Sequence, residues 1–147
     1  MYKRILVPTD GSKMAAKGIK CAVGLAKAIG ATVVGYHGME PIAPAYYSEA
    51  AGIRALQVRA IEKLLLGNGE HYLDALRRAA DKAGVPWETL MTSPASPHLG
   101  ILQAARAQRC DLICMASHGR GKLASALLGS VTQKVLTHSK VPVFVCR

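Results

Sequence analysis

The chain has 147 residues, half of them hydrophobic, and carries 19 Lys and Arg against 9 Asp and Glu, for a formal net charge of +10. That length and apolar content suit one domain that buries about two-thirds of its unfolded surface, and they exclude a disordered chain. No apolar run approaches the roughly 18–20 residues that cross a bilayer, which excludes a membrane span.

Met1-Tyr2-Lys3-Arg4-Ile5 runs into a strand without the design of a signal peptide, so a cytoplasmic location is expected. Arg4-Ile5-Leu6-Val7 is that first strand, and Pro8-Thr9-Asp10-Gly11-Ser12 ends it, with Ser12 placed to cap a helix. Ile19, Ala22, Val23, Ala26 and Ile29 recur at helical spacing, and Gly30 stands where a helix C-cap belongs. Ala31 to Tyr36 is β-branched and apolar, a second strand, and Gly38 to Ser48, with two prolines, reads as a loop. From Glu49 to Ala83 the pattern is helical, through Ile53, Leu56, Ala60 and Leu64 and then Leu73, Leu76 and Ala80. Gly67-Asn68-Gly69 predicts a break into two helices, because two glycines and an Asn cost around 2 kcal/mol in a helix interior. Gly84-Val85-Pro86 stops the helix, and Trp87 to Met91 is a third strand. Ser96-Pro97 opens a helix through Leu99, Leu102, Ala105 and Arg106. Leu112 to Met115 is a fourth strand, a helix starts at Gly129-Ser130, and Val141 to Cys146 closes the chain as a fifth. Strands alternating with helices imply an α/β fold, a mostly parallel sheet covered on both faces. Ligands in such sheets sit at the carboxyl ends of the strands where the strand order reverses.

The stretch after the fourth strand carries the chemistry. From Leu112 to Arg147 there is no acid, while Arg120, Lys122, Lys134, Lys140 and Arg147 are basic. A glycine loop leaving a strand and a Gly-Ser opening a helix suit an anion, with phosphate first. A Walker A loop fails here, since Leu123 stands where the Mg²⁺-binding hydroxyl is required. A dinucleotide fingerprint, nominally Gly119-x-Gly121-x-x-Ala124, lacks the downstream acid that would hold the ribose. What remains is Gly119 and, across nine intervening residues, Gly129-Ser130, two glycine sites that reach one polyphosphate if the intervening segment loops out.

That stretch resembles the nucleotide-binding signature of the universal stress protein family, G-x-x-G, nine residues, then G-[S/T]. Leu6-Val7-Pro8-Thr9-Asp10-Gly11-Ser12 is similar to the family's opening strand and loop, and Val131-x-x-Lys134-Val135-Leu136 with Val141-Pro142-Val143 to its closing helix and strand. The likeness covers residues 1–147. It implies a single Rossmann-like open sheet of five strands in the order 3-2-1-4-5, binding ATP or AMP, with or without Mg²⁺, across the ends of strands one and four. Pro8, Thr9, Asp10, His37 and Gly38 would meet the base, and Met115, Ala116, Ser117, His118, Gly119 and Arg120 would approach ribose and phosphates. Gly129, Ser130, Val131 and Thr132 would hold the phosphates with N–H and hydroxyl groups. Ala116 departs from the family, standing where its first glycine belongs, and narrows the room for close backbone approach. The resemblance also implies a homodimer, for which the apolar terminal strand Val143–Cys146 is suited if it lies at a sheet edge.

Simpler readings stand beside these. Asp10 serves equally as a helix cap, and His118 as a hydrogen-bonded loop residue. Asp10 is the one acid expected at the site, so catalysis is thinly supported and at most slow, metal-dependent ATP hydrolysis is expected. Cys21, Cys110, Cys114 and Cys146 lack zinc-type spacing and read as reduced, buried thiols. The basic residues are scattered along the chain and aromatics are few, so nucleic acid ranks as an alternative partner only.

Overall fold

Alternate residues of each strand serve opposite faces of the sheet, and this two-residue period organises the core. In the computed structural model, which describes residues 1–41, 53–118 and 128–147, β1 (Arg4–Pro8), β2 (Thr32–Gly38), β3 (Trp87–Thr92), β4 (Leu112–Ala116) and β5 (Val143–Cys146) form one sheet in the order β3-β2-β1-β4-β5. Every pairing is parallel. The helices are α1 (Lys13–Ile29), α2 (Ile53–Ala83), α3 (Pro97–Ala107) and α4 (Ser130–His138). Ile5, Val7, Val33, Leu112 and Cys114 pack with α1 and α2 on one face, while Leu6, Val34, Ile113 and Met115 pack with α3 and α4 on the other. All five residues of β4 are buried, as its apolar run requires.

Pairing at the start of the sheet is secured by side chains. The Asp111 carboxylate accepts the N–H groups of Lys3, at 2.8 Å, and Arg4, at 3.0 Å, which pins β1 to the head of β4. Against the upward push of burial, those bonds hold its carboxyl below the usual aspartate range. Arg4 then forks onto both Glu88 oxygens at 2.8 and 2.9 Å and donates through Nε to the Gln108 carbonyl, joining β1, β3 and the end of α3. Three of the four cysteines are buried and all are free thiols. Cys114 Sγ and Cys146 Sγ lie 3.6 Å apart, and burial pushes the thiols of Cys110 and Cys114 up to about 11.

Ser12 caps α1 by accepting the Ala15 N–H at 3.0 Å, and Gly30 ends it at φ 70°. β2 runs to Gly38, two residues beyond the expected end, because His37 and Gly38 register with Met91 and Thr92 of β3. Helix α2 does not break at Gly67-Asn68-Gly69; it is continuous over 31 residues. The expected helical residues 49–52 lie outside the described residues, as does the 42–48 part of the expected loop. Packing explains the continuity. A Cβ on Gly69 would stand 2.5 Å from Met91 Sδ and 2.9 Å from His37 Cδ2, so this glycine lets the helix lie directly on the ends of β2 and β3. Continuity also fixes the phase: Val58, Leu65, Gly69, Leu73, Leu76 and Ala80 share one inward stripe at 100° per residue. Leu56 and Leu64, two of the apolar residues that mark the helical pattern, therefore face outward and are 69% and 63% exposed. Leu99 of α3 is likewise exposed, since Gly100, Ile101, Ala104 and Ala105 form the buried face.

The two glycines of α2 should behave oppositely. Nothing lies within 4 Å of a Cβ at Gly67, so Gly67→Ala should raise unfolding free energy by about 0.5–1 kcal/mol through helix propensity. Gly69→Ala should lower it by about 1–3 kcal/mol by overpacking, both read from urea denaturation.

Candidate nucleotide cleft

β1 and β4 are neighbours in the sheet, and a cavity of about 610 Å³ opens at their carboxyl ends. Pro8, Thr9 and Asp10 line it from the end of β1, and His37 and Gly38 from the end of β2. Met115, Ala116 and His118 border it at the end of β4, and Gly129, Ser130, Val131 and Thr132 at the start of α4. Gly119 and Arg120 lie outside the described residues. Sequence reasoning missed two other walls: Leu65, Asn68 and Tyr72 of α2, and Pro97 and Ile101 of α3. It also missed a second acid, Glu40, which lines the cleft as Asp10 does. Long-range packing brings these residues in; the one sequence signal was the Gly67-Asn68-Gly69 triplet, read there as a break.

The wall formed by the ends of β1 and β2 is held by its own hydrogen bonds. Thr9 donates its N–H to the Tyr36 carbonyl at 2.9 Å, and the His37 ring donates from Nδ1 to the Thr9 carbonyl at 2.9 Å. A carbonyl only accepts, so the proton must be on Nδ1. The Tyr72 ring meets His37 edge-on, with centroids 5.2 Å apart, and lies so close to Gly11 that any Cβ there would overlap it. Gly11 has φ 75°, a turn that glycine adopts without strain. Asp10 accepts the Ser12 N–H on Oδ1 at 3.0 Å, so it shapes the turn before α1 while Ser12 provides the helix cap. Tyr36 is buried, its hydroxyl 2.8 Å from Thr92 Oγ1, and burial pushes its ionisation up.

The opposite wall is a strap between β4 and α4. Gly129 donates its N–H to the Ser117 carbonyl at 2.7 Å, and Thr132 donates its hydroxyl to the Ala116 carbonyl at 3.1 Å. Thr132 is 3% exposed, so its hydroxyl fastens the helix to the strand, where a phosphate contact had been expected. Ser117 is buried behind the cleft: its N–H goes to the Cys146 carbonyl at 2.8 Å and its Oγ lies 3.1 Å from His118 Nδ1. Gly129 is the N-cap and brings no side chain to the first turn of α4, which holds no acid. Intrahelical bonding leaves such first-turn N–H groups without partners, and they carry the positive end of the helix. A methyl on Gly129 would stand 3.3 Å from the Ser117 carbonyl oxygen and from His118 Cα, so a larger residue there would be crowded against backbone. Ala116 borders the cleft, and its methyl lies against α1 where Gly18 leaves space: a Cβ on Gly18 would be 3.6 Å from it and 3.2 Å from the Ala116 nitrogen.

The arrangement pairs a largely apolar slot with a helix start whose N-cap is glycine, suited to a flat ring carrying an anionic tail. Among the described residues no three His, Cys, Asp or Glu side chains gather as a metal site, and no helix is long and apolar enough to cross a membrane.

The chain is similar to known proteins over its whole length. A profile of the universal stress protein family matches residues 1–147. A universal stress protein of Thermus aquaticus is 35% identical over the whole of both chains. One from Methanocaldococcus jannaschii, MJ0531, is 31% identical over all of this chain and 83% of its own length. Among solved structures, MJ0577 of Methanocaldococcus jannaschii superposes with a TM-score of 0.81 at 27% identity, covering 99% of this chain and 95% of that one. A universal stress protein in complex with cAMP gives a TM-score of 0.72 at 25% identity, covering 99% and 97%.

The strap is testable without ligand. Thr132→Val should cost about 1 kcal/mol of stability in chemical denaturation, the worth of one buried hydrogen bond, and Thr132→Ser should keep most of it.

Proposed function

The chain belongs to the universal stress protein family, and we propose that it binds one adenine nucleotide, ATP or AMP, as a stress-response regulatory module in the cytoplasm. The first turn of α4, with glycine at its N-cap and opening onto the cleft at the ends of β1 and β4, carries this reading. The base lies on the side of Pro8, Thr9, Asp10, His37 and Gly38. The ribose passes Met115 and Ala116, and the phosphates meet the N–H groups of Ser130 and Val131, with Gly119 and Arg120 completing that end. Ser117 and Thr132 act by positioning. Mg²⁺, where it accompanies a triphosphate, is held chiefly by the phosphates and water, with Asp10 and Glu40 the nearby acids. The universal stress protein solved with cAMP supports an adenine nucleotide as the ligand class. Ligand binding stabilises one conformation of the module, and turnover is at most slow.

The proposal extends to assembly. β5 is an edge strand, with Phe144 45% exposed and Val143 and Val145 half-buried. An apolar edge of this kind pairs with its twin across a two-fold axis.

Denaturing freshly purified protein and identifying the released nucleotide by mass spectrometry should yield ATP or AMP near one per chain. Added at 100 times its dissociation constant, the same nucleotide should stabilise the fold by about 2.7 kcal/mol. Release of none, with no melting shift at millimolar ATP or AMP, would refute the reading. Light scattering at micromolar concentration should give a dimer, and Phe144→Asp a monomer; a wild-type monomer would remove the β5 proposal.

A further inference from the structure

The basic residues look scattered in sequence, but the fold gathers four of them. Lys13, Lys17, Lys20 and Lys27 are all exposed on α1. At 100° per residue they fall within about 80° of arc, in a stripe about 21 Å long. Helix α1 contains no acid at all, and among the described residues no ion pair engages any of the four lysines. Local electrostatics opposes this arrangement. Lys13–Lys17 and Lys17–Lys20 are like-charge neighbours at four and three residues, and Lys13 sits at the positive end of the helix dipole. Surface helices relieve such repulsion by interspersing glutamate, and this one does not. An external polyanion would relieve it.

We propose that this face of α1 docks the phosphate backbone of a nucleic-acid duplex. The stripe is straight, and a duplex presents about a dozen phosphates along an equal length of axis. The exposed residues beside the lysines, Ala16, Gly24 and Ala28, are small and apolar or lack a side chain, so no hydrogen-bonding or aromatic group reads a base edge or stacks on a base. Recognition is therefore of phosphate and independent of sequence. The same small residues offer nothing to insert into a bilayer, and the apolar side of α1 is already buried against the sheet and α2. The inference is independent of what occupies the nucleotide cleft.

Fluorescence anisotropy with a mixed-sequence DNA duplex, repeated from 50 to 200 mM salt, tests it. Four neutralised phosphates give a slope of log affinity on log salt of about −3.6, roughly a 100-fold loss across that range. Lys17→Gln with Lys20→Gln should reduce the slope by about 1.8, while Lys17→Arg with Lys20→Arg should retain it. Lys134→Gln with Lys140→Gln removes the same charge from elsewhere on the surface and should leave the slope unchanged. Thermal melting verifies that each variant is folded. Equal effects of the two Gln pairs would overturn the proposal in favour of net charge alone. Absence of duplex binding at 50 mM salt would overturn it too, as would binding of poly-glutamate or phosphatidylserine vesicles through these lysines in place of the duplex.

Discussion

Thr132 gives its hydroxyl to the Ala116 carbonyl and Gly129 its N–H to the Ser117 carbonyl, and these two bonds decide where α4 begins relative to the sheet. Ser117 passes the constraint on through its own N–H, which the Cys146 carbonyl of β5 accepts. One strand end, one helix start and the edge strand are thereby held as a unit. The chemical consequence lies in what the strap consumes. It takes the one hydroxyl in the first turn of α4 that faces the protein, and at the N-cap it has glycine, which offers no side chain. The start of α4 therefore faces the cleft with no side chain from its own N-cap, and the helix is held in place there.

That geometry matters only if β1 delivers its loop to the same place, which depends on register. Ile5 pairs with Leu112 and Leu6 with Ile113, and the Asp111 carboxylate fastens Lys3 and Arg4 just before those pairs. A slip of one residue would turn every β1 side chain to the wrong face and displace Pro8, Thr9 and Asp10 from Ala116. The Arg4–Glu88 fork adds β3 to the same end of the sheet. Both partners are substantially solvent-exposed, so its value lies in alignment more than in net stability. Pairing secured at one end of the sheet lets the other end diverge into a cleft.

How much of this was legible in the sequence differed by the range of the interaction. Strand runs such as Leu112 to Met115 and caps such as Ser12 and Gly30 are local, and they were read correctly. The strand order came from family resemblance, since no local signal encodes it. The α2 misreading had a definite cause. Propensity treats Gly67 and Gly69 alike, but Gly69 sits under Met91 and His37 and is required by packing, while Gly67 meets nothing. Once the helix is continuous, its phase expels Leu56 and Leu64 and turns Leu65, Asn68 and Tyr72 toward the cleft. No pattern confined to α2 announces that it covers loops from β1 and β2. The roles of Ser117 and Thr132 were hidden for the same reason: a hydroxyl in a helix first turn has the same sequence signature whether it faces a phosphate or a backbone carbonyl.

The hydrogen bonds inside the cleft fix the shape of its walls. His37 commits Nδ1 to the Thr9 carbonyl, His118 Nδ1 lies against Ser117 Oγ, and Asp10 Oδ1 holds the Ser12 N–H. Each of these side chains has the composition of a general acid or base, and each has an atom engaged by the wall that carries it. A catalytic group needs freedom to exchange a proton with substrate at an aligned atom, and a phosphoryl-transfer site needs carboxylates arranged around metal. A binding site needs walls that hold their shape before the ligand arrives, because ordering them afterwards subtracts from affinity. The cleft meets that second requirement through bonds made within the protein itself. A ligand that fits would therefore report its presence by stabilising the fold.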